Sequence, residues 1–467
     1  MKKKYLLLLF LLAANFGNSQ QKNKISYEQL KEYEGSYEYL NKTTLKIAAS
    51  PKDTLLYAII NESKYPLKFT EKDVFQNMSK ENVTFLRNKL GAITGYSSEG
   101  NTFNLLNKKV VFPKEMWYPR LNVTKDYKYA YIPPKKDPLD GLATGTLDNS
   151  GLDKALLNEM MQKIVTGSYP NVHSVLIIKD GKLIFEEYFY EYNKTKLHEL
   201  RSATKSFVSA LTGIAIDKGL IKSKDETVLS YFKDYTFKNL TDDKKEITIE
   251  DLLSNESGLD CDVSNPKAEG NETKMNNSDD WIQYTLDLPM IDVPGANGMY
   301  CSGNPIVMGK IIERATKMAL PDFAKQTLFK DLAITNFKWN FKPDASSAET
   351  FCQLYLNSRD MAKLGLLYLN KGVWNGKQVI SKNWVQESFT KHSVLQGVNY
   401  GYLWWLKYIE VNGVRYQGKV AQGNGGQKIY VWEDQNMITV ITGGNYNSQS
   451  SSDELIQKYI LPSFTKK

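Results

Sequence analysis

A run of prolines and glycines divides this chain into two stretches of different rhythm. Pro133, Pro134 and Pro138 are followed by Gly141, Gly145 and Gly151. Proline lacks the amide hydrogen that helices and strands use, and glycine costs backbone entropy to order, so this density predicts a linker over residues 126–151. Residues 22–125, before it, carry short alternating runs: Thr44-Leu45-Lys46-Ile47-Ala48, Leu55 to Ile60, Val83 to Arg87 and Ala92 to Tyr96, separated by turn residues such as Asn61-Glu62-Ser63 and Asn88-Lys89-Leu90-Gly91. Period-two patterning with frequent turns predicts an antiparallel sheet closed or folded on itself, a small β-barrel or sandwich. Residues 152–467, after it, mix both periods. Ala155, Leu156, Leu157, Met160, Met161, Ile164 and Val165 recur at helical spacing, and two apolar runs, Ser174–Ile178 and Leu183–Phe189, flank Asp180-Gly181, a strong hairpin signal. At 467 residues and 42% hydrophobic content there is material for two separate cores.

Composition narrows the classes. The formal charge is +8, but three of these charges are Lys2, Lys3 and Lys4, and elsewhere Lys and Asp/Glu are interspersed, so no nucleic-acid-binding stripe is expected. Residues 1–19 read as a secretory signal peptide: a basic start, an apolar run from Tyr5 to Ala14 too short to span a bilayer, and small Gly17 and Ser19 near a cleavage point. Export to the periplasm or the medium is the expectation, with no lasting membrane insertion after cleavage. The cysteines are Cys261, Cys301 and Cys352; an odd number leaves at least one unpaired, the pairing is open, and Cys301 reads as a packed thiol rather than a nucleophile.

The chemistry centres on Arg201-Ser202-Ala203-Thr204-Lys205-Ser206-Phe207. Ser202 stands near a helix start, with Phe207, Leu211 and Ile214 following at helical spacing. Ser202 and Lys205, three apart, share a face. Burial disfavours the charged form of a lysine, so a serine beside a desolvated amine is a nucleophile carrying its own base. Beyond the expected signal peptide, Ser-x-x-Lys occurs five times, starting at Ser202, Ser230, Ser264, Ser388 and Ser463. Only the first follows a hairpin and opens an apolar helix.

Other stretches stand out. Ile247–Leu259 predicts a short helix stopped at Gly258. Tyr300-Cys301-Ser302-Gly303-Asn304 precedes a helical pattern from Val307 to Ala315. Ser358–Leu369 is amphipathic, and Gly423-Asn424-Gly425-Gly426-Gln427 opens an apolar strand, Lys428–Trp432. Gly372–Lys377 has neither the glycine spacing nor the hydroxyl of a phosphate-binding loop, and the run at Gly423–Gly426 lacks the last glycine of a dinucleotide fingerprint. His173, His198 and His392 are the only histidines; there is no Gly-x-Ser-x-Gly elbow and no His-Glu-x-x-His helix, so neither metal nor cofactor is expected.

Taken in order, these stretches resemble the serine β-lactamase and penicillin-binding-protein superfamily over roughly residues 155–460. Ser202-x-x-Lys205 is similar to its first motif. Tyr300-Cys301-Ser302 is similar to its Tyr-x-Asn, with Ser302 at the asparagine position. Asn424-Gly425-Gly426 falls at its Lys-Thr-Gly or His-x-Gly. Leu252–Leu259 resembles its Leu-Leu-x-His-x-Ser-Gly-Leu segment, with Asn255 where histidine is usual. Residues 358–377 and Tyr400–Trp405 resemble the class C-like branch of nylon-oligomer hydrolases and EstB-type esterases, and residues 22–125 the lipocalin-like accessory domains of such hydrolases. The resemblance implies an α/β fold: an antiparallel sheet flanked by helices, an all-helical subdomain, and the site between them.

It also implies a mechanism. Ser202 attacks an ester or amide carbonyl, Lys205 and Tyr300 move the proton, and the Ser202 and Gln427 backbone N–H groups form an oxyanion hole, with Ser302, Asn424, Gly425, Gly426 and Gln427 lining the substrate site. A neutral Asn424 and a short Ser302 favour esters or small amides over β-lactams and D-alanyl peptides, whose carboxylate a lysine would hold. A β-lactamase, a D-alanyl carboxypeptidase or a D-aminopeptidase is the alternative within the superfamily. Outside it stand a non-catalytic sensor with the same fold and a ligand-carrying β-domain, although stabilisation is the simplest role for that domain.

Overall fold

The computed structural model describes residues 25–39, 44–60, 62–263, 265–341 and 352–464. The expected signal peptide lies outside them. The chain forms two compact units, residues 1–60 with 64–112, and residues 61–63 with 113–467.

The first unit is a closed barrel of eight strands in chain order: β1 (Gly35–Glu38), β2 (Thr44–Ala49), β3 (Leu56–Ile60), β4 (Ser63–Glu71), β5 (Val74–Gln76), β6 (Asn82–Arg87), β7 (Ile93–Ser98) and β8 (Asn101–Asn107), with β8 antiparallel to β1. Alternation puts Leu45 and Ile47 of β2 and Val83 and Phe85 of β6 inside. Aromatic rings fill the centre. Tyr33 lies 5.0 Å from Phe75 and 4.7 Å from Phe85, and Tyr96 stacks on Phe103 at 4.9 Å. The barrel interior is thus built as a core of side chains, the filling expected at this strand number.

The second unit is built on a nine-stranded sheet. Its strands are β9 (Ala143–Thr144), β10 (Val172–Lys179), β11 (Lys182–Tyr188), β12 (Ser393–Leu395), β13 (Val398–Tyr400), β14 (Trp405–Val411), β15 (Val414–Gly423), β16 (Gln427–Trp432) and β17 (Met437–Gly443). They lie in the order β12-β13-β14-β15-β16-β17-β10-β11-β9. All neighbours are antiparallel except β9, which runs parallel to β11 at the edge and makes the sheet mixed. The hairpin at Asp180-Gly181 forms as the sequence predicts, with both residues at positive φ, 50° and 76°, the backbone that a two-residue type I′ turn demands.

Strands β16 and β17 are buried at every position, so both faces are covered. Helix Ser358–Leu369 packs on β10, β16 and β17, and the C-terminal segment Ser452–Ile460 packs on β14 and β17, with helix Lys154–Val165 against it. A Cβ at Gly365 would come 2.8 Å from Ile438, so the absence of a side chain there sets how closely the Ser358 helix approaches the sheet. The helical part gathers around helix Gly303–Thr316, which touches Thr204–Asp217, Ile249–Ser254, Trp281–Asp287 and Leu320–Ala324. This is the helical subdomain beside the sheet that the sequence suggests.

Residues 126–151, read from sequence as a linker, pack onto the second unit. Tyr129, Leu142 and Leu147 join its core, and the Tyr131 hydroxyl donates to Ile184 O at 2.7 Å. A buried ion pair fixes this segment. The Arg359 guanidinium donates to both oxygens of Glu186 at 2.6 Å, to Asp140 Oδ2 at 2.6 Å and to Lys135 O at 2.8 Å. Removing one partner of such a network strands buried charge. Arg359→Ala is therefore expected to lower the unfolding free energy of this unit by about 3–5 kcal/mol, read as a drop in its denaturant midpoint, while Lys245→Ala, which loses an exposed pair with Asp242, leaves the midpoint nearly unchanged.

Candidate active site

Ser202 stands in a single 3₁₀ turn, Arg201–Ala203, that feeds helix Thr204–Asp217. Arg201 occupies the left-handed region at φ 49°, uncommon for a residue with a side chain. That reversal turns the chain from the short strand His198–Glu199 into the helix. Ser202 stays half-buried, whereas every residue from Ala203 to Ala215 is buried. The helix is enclosed on every side, its polar Thr204, Lys205, Ser206, Ser209 and Thr212 included, and its start holds the half-buried serine.

The Lys205 ammonium donates to Ser202 Oγ at 2.8 Å, with Lys205 only 8% exposed. The same Nζ lies 5.2 Å from the centre of the Tyr300 ring, within cation–π range. The three groups thus converge: the hydroxyl, the amine and the phenol-bearing ring share one small volume, as the sequence suggests.

Tyr300 is held from both sides. Val263 N donates to Tyr300 O at 3.1 Å. The residue before it, Met299, donates its N–H to Asn255 O at 2.8 Å, and the residue after it, Cys301, donates to Asn255 Oδ1 at 3.3 Å. Asn304 Nδ2 also reaches Asn255 Oδ1, at 3.2 Å. Asn255 is fully buried and left-handed, at φ 61° and ψ 41°, a conformation that asparagine tolerates better than most residues. It ends helix Ile249–Ser254 three positions earlier than the stop expected at Gly258. In sequence Asn255 marks only a departure from a related motif; in space it clamps the Tyr300 loop. Cys301, expected as a packed thiol, forms a disulfide with Cys261 that ties the same loop a second time, and Cys352 is free and buried.

The glycine-rich stretch differs more from expectation. Gln427 is fully buried and spends its side chain internally: Nε2 donates to Gly443 O at 2.7 Å and to Asn424 O at 3.1 Å, and Oε1 accepts from Gly443 N at 3.0 Å. The Asn424 side chain is bound to Asn447 through Nδ2 at 2.6 Å and Oδ1 at 2.9 Å. Gly425 and Gly426 have φ of 92° and 103°, and a Cβ on them would strike Tyr446 and Ser450 at 2.7 Å and 2.4 Å. These two glycines serve the turn, rather than leaving room for a substrate.

Gly423 meets the nucleophile instead. A Cβ there would stand 2.2 Å from Leu200 O and 3.1 Å from Ser202 N. The end of β15 therefore abuts the Ser202 turn, and the next amide, Asn424 N–H, has no acceptor among the described residues. Ser302 precedes helix Gly303–Thr316, is 6% exposed, and shares with Lys205 the lining of a cavity of about 60 Å³. Among the described residues no group of acidic, histidine or cysteine side chains could hold a metal ion, and no helix is long and apolar enough to cross a membrane.

Residues 157–455 match the beta-lactamase family. The fold agrees with solved structures of that kind. It resembles EstCE1, a hydrolase with promiscuous acyltransferase activity, at a TM-score of 0.55 and 14% identity over 68% of this chain and 100% of the other. It also resembles a family VIII carboxylesterase, at a TM-score of 0.54 and 14% identity over 68% and 99% of the two chains. At such identity the likeness concerns the fold alone. Among curated proteins, one from Salmonella agona named for D-alanyl-D-alanine carboxypeptidase activity is 24% identical over 47% of this chain and 56% of its own length. The chain thus spans about half the length of the curated relatives it matches. The chain belongs to the beta-lactamase family.

The disulfide supplies a direct check on the loop that carries Tyr300. Unfolded in denaturant without reductant, the protein is expected to titrate one thiol, Cys352, and after reduction three. A count of three before reduction would remove the covalent tie from the site.

Proposed function

We propose that this chain is a serine hydrolase that works through an acyl-enzyme on esters or small amides, with Ser202 as nucleophile and Lys205 and Tyr300 as the proton-transfer pair. The observation that carries the reading is the 2.8 Å bond from Lys205 Nζ to Ser202 Oγ, made beside the Tyr300 ring. Ser202 Oγ bonds to the substrate carbonyl carbon as its proton passes to the Lys205–Tyr300 pair. The same proton then goes to the departing alcohol or amine as the old acyl bond breaks. Water repeats the sequence on the acyl-enzyme, returning the acid product and free Ser202.

The oxyanion in this reading rests between the Ser202 and Asn424 N–H groups rather than on Gln427. Gly423 against Ser202 N and the unused Asn424 amide support that choice.

Substrate preference follows from charge. β-Lactams and D-alanyl peptides present a carboxylate, and holding it takes a free cation. No lysine or arginine stands in Ala421-Gln422-Gly423-Asn424-Gly425-Gly426. Arg201, next to the nucleophile, has Glu199 Oε1 3.2 Å from its Nε. Esters and small amides without that carboxylate fit better. The names of the curated relatives keep the carboxypeptidase reading in the comparison. Export belongs to the same proposal, supported by the basic and apolar start of the sequence and by the Cys261–Cys301 disulfide.

A fluorophosphonate probe and a panel of p-nitrophenyl esters, nitrocefin and D-alanyl peptides test the reading. Wild type is expected to label and to turn over esters fastest; Ser202→Ala loses both labelling and turnover. Tyr300→Phe is expected to lose 10²–10⁴-fold in kcat, a span typical of a positioned proton-transfer group. Unlabelled wild-type protein would favour a non-catalytic sensor, and β-lactam or D-alanyl turnover above ester turnover would reverse the substrate order.

A further inference from the structure

Two residues from early in the chain, Glu62 and Ser63, belong to the second unit and stand against the Ser202 turn. Glu62 Oε2 accepts the Glu199 N–H at 3.3 Å and lies 3.4 Å from His198 Nδ1. The same ring nitrogen is 3.0 Å from Glu199 O. Two oxygen acceptors at Nδ1 call for the proton there, so His198 answers the Glu199 carbonyl while Glu62 answers the Glu199 amide. His173 Nδ1 backs the other nitrogen of His198 at 2.8 Å, and the Tyr192 ring stacks on both imidazoles, at 4.1 Å and 4.9 Å. Burial first, then the Glu62 carboxylate, hold the Tyr192 hydroxyl well above its ordinary value. Arg201 Nη2 donates to Ser63 Oγ at 3.4 Å, its Nε lies 3.2 Å from Glu199 Oε1, and its guanidinium stands 5.0 Å from the centre of the Tyr446 ring. Ser63 and Glu199 are fully buried and the Glu62 side chain is 17% exposed.

These contacts fall on the segment whose reversal aims the nucleophile. Arg201 is left-handed, at φ 49°, and a residue with a Cβ persists there only where its surroundings over-determine the backbone. The direction of the peptide that follows Arg201 is set by that reversal, and its amide is the Ser202 N–H that the proposed oxyanion hole uses. Gly423 admits β15 against the Leu200 carbonyl. Glu62 holds the residue before Leu200, and Ser63 the side chain of the residue after it. We propose that Glu62 is a positioning residue for the hydrolysis: by accepting the Glu199 amide it fixes the left-handed Arg201 turn, and with it the Ser202 N–H and Oγ. What the turn needs from Glu62 is an acceptor oxygen at one place, rather than a charge. The proposal rests on Ser202 being the nucleophile and names a residue that orients it.

Three variants separate the placed acceptor from bulk and charge. Glu62→Gln keeps an acceptor oxygen in place and loses the charge. Glu62→Asp keeps the charge and withdraws the oxygen by one methylene. Glu62→Met keeps the bulk and loses the acceptor. Each is measured on p-nitrophenyl butyrate, with kcat and KM separated and rates counted per fluorophosphonate-reactive site, so that unfolded protein does not enter; the rate of labelling is followed as well. In Glu62→Met and Glu62→Asp, kcat and the labelling rate are expected to fall together by roughly tenfold with KM unchanged, within the cost of misplacing a reacting group by a fraction of an ångström to one ångström and short of the ~10²–10³-fold for deleting an oxyanion donor. Glu62→Gln is expected to stay within about twofold of wild type, since the hydrogen bond that sets the geometry is kept. If Glu62→Met does not fold, the contrast between Glu62→Gln and Glu62→Asp decides the matter. A purely structural role lowers the denaturant midpoint and leaves kcat per site at the wild-type level, and that result overturns the proposal. Equal losses in Glu62→Gln and Glu62→Asp overturn it too. Wild-type protein left unlabelled at Ser202 removes the nucleophile itself, an outcome distinct from a labelled enzyme indifferent to Glu62.

Discussion

The contact between the Lys205 ammonium and Ser202 Oγ needs the rest of the second unit to exist. A lysine 8% exposed is costly to hold in place. It is held because its helix is packed on every side, against helix Gly303–Thr316 on one flank and against the end of β15 at its start. Helix geometry alone brings positions three apart together. What it cannot do is bring Tyr300. That takes a second device, the loop from Met299 to Cys301, whose two flanking amides both end on Asn255 and whose covalent tie runs to Cys261. The site is therefore local on one side and tertiary on the other. The serine and the amine come from one turn of helix, while the phenol comes from a loop that would have no fixed place without its clamp.

This division explains what could be read from the chain. The Ser202 helix, the Asp180-Gly181 hairpin and strands such as β2 and β6 were legible because each is dictated within a few residues: an apolar stripe, two turn residues, an alternation. Strand β4 was not, since Pro66 and the polar residues around it break the pattern, and β8 spends three of its seven positions on Asn101, Asn104 and Asn107. The proline- and glycine-rich stretch, read as a linker, packs on the second unit instead. Nothing local in it announces that Asp140 and Lys135 will be gripped by Arg359, a residue from a helix more than two hundred positions away.

The glycine-rich turn carries a sharper lesson. Its composition invites the reading that glycines make room for a ligand, yet two of them are explained by positive φ and by the side chains of Tyr446 and Ser450. The glycine that does make room is Gly423, and what approaches it is protein backbone, the Leu200 carbonyl. Register decides this. Gly423 pairs with Gln427 across the β15–β16 ladder, so the turn lies between them, and both strands meet the Ser202 turn, Gly423 at the closest approach. A list of residue types cannot distinguish those two cases, because both present glycine beside the same neighbours in sequence. Cys301 poses the same problem. Its partner is Cys261 rather than Cys352 because Val263 and Tyr300 are hydrogen-bonded, an arrangement that spacing does not encode.

The charges around Ser202 show why activation and recognition need not draw on the same groups. Lys205 and Arg201 are the two cations within the lining of the adjoining cavity, and each already has a partner made by the fold. Neither is free to hold a substrate anion without giving that partner up. On the sheet side, the Asn424 side chain and the Gln427 amide are consumed by Asn447 and Gly443, while the Asn424 backbone N–H has no acceptor among the described residues. Backbone donors suit an oxygen that gains charge during a reaction, wherever the rest of the substrate lies. On the helical side the buried Gln353 Oε1 has no donor among the described residues. The side chains around Ser202 are thus mostly spent inside the fold, and in the proposed reaction it is the main chain, fixed by the packing of helix against sheet edge, that is left to meet the reacting oxygen.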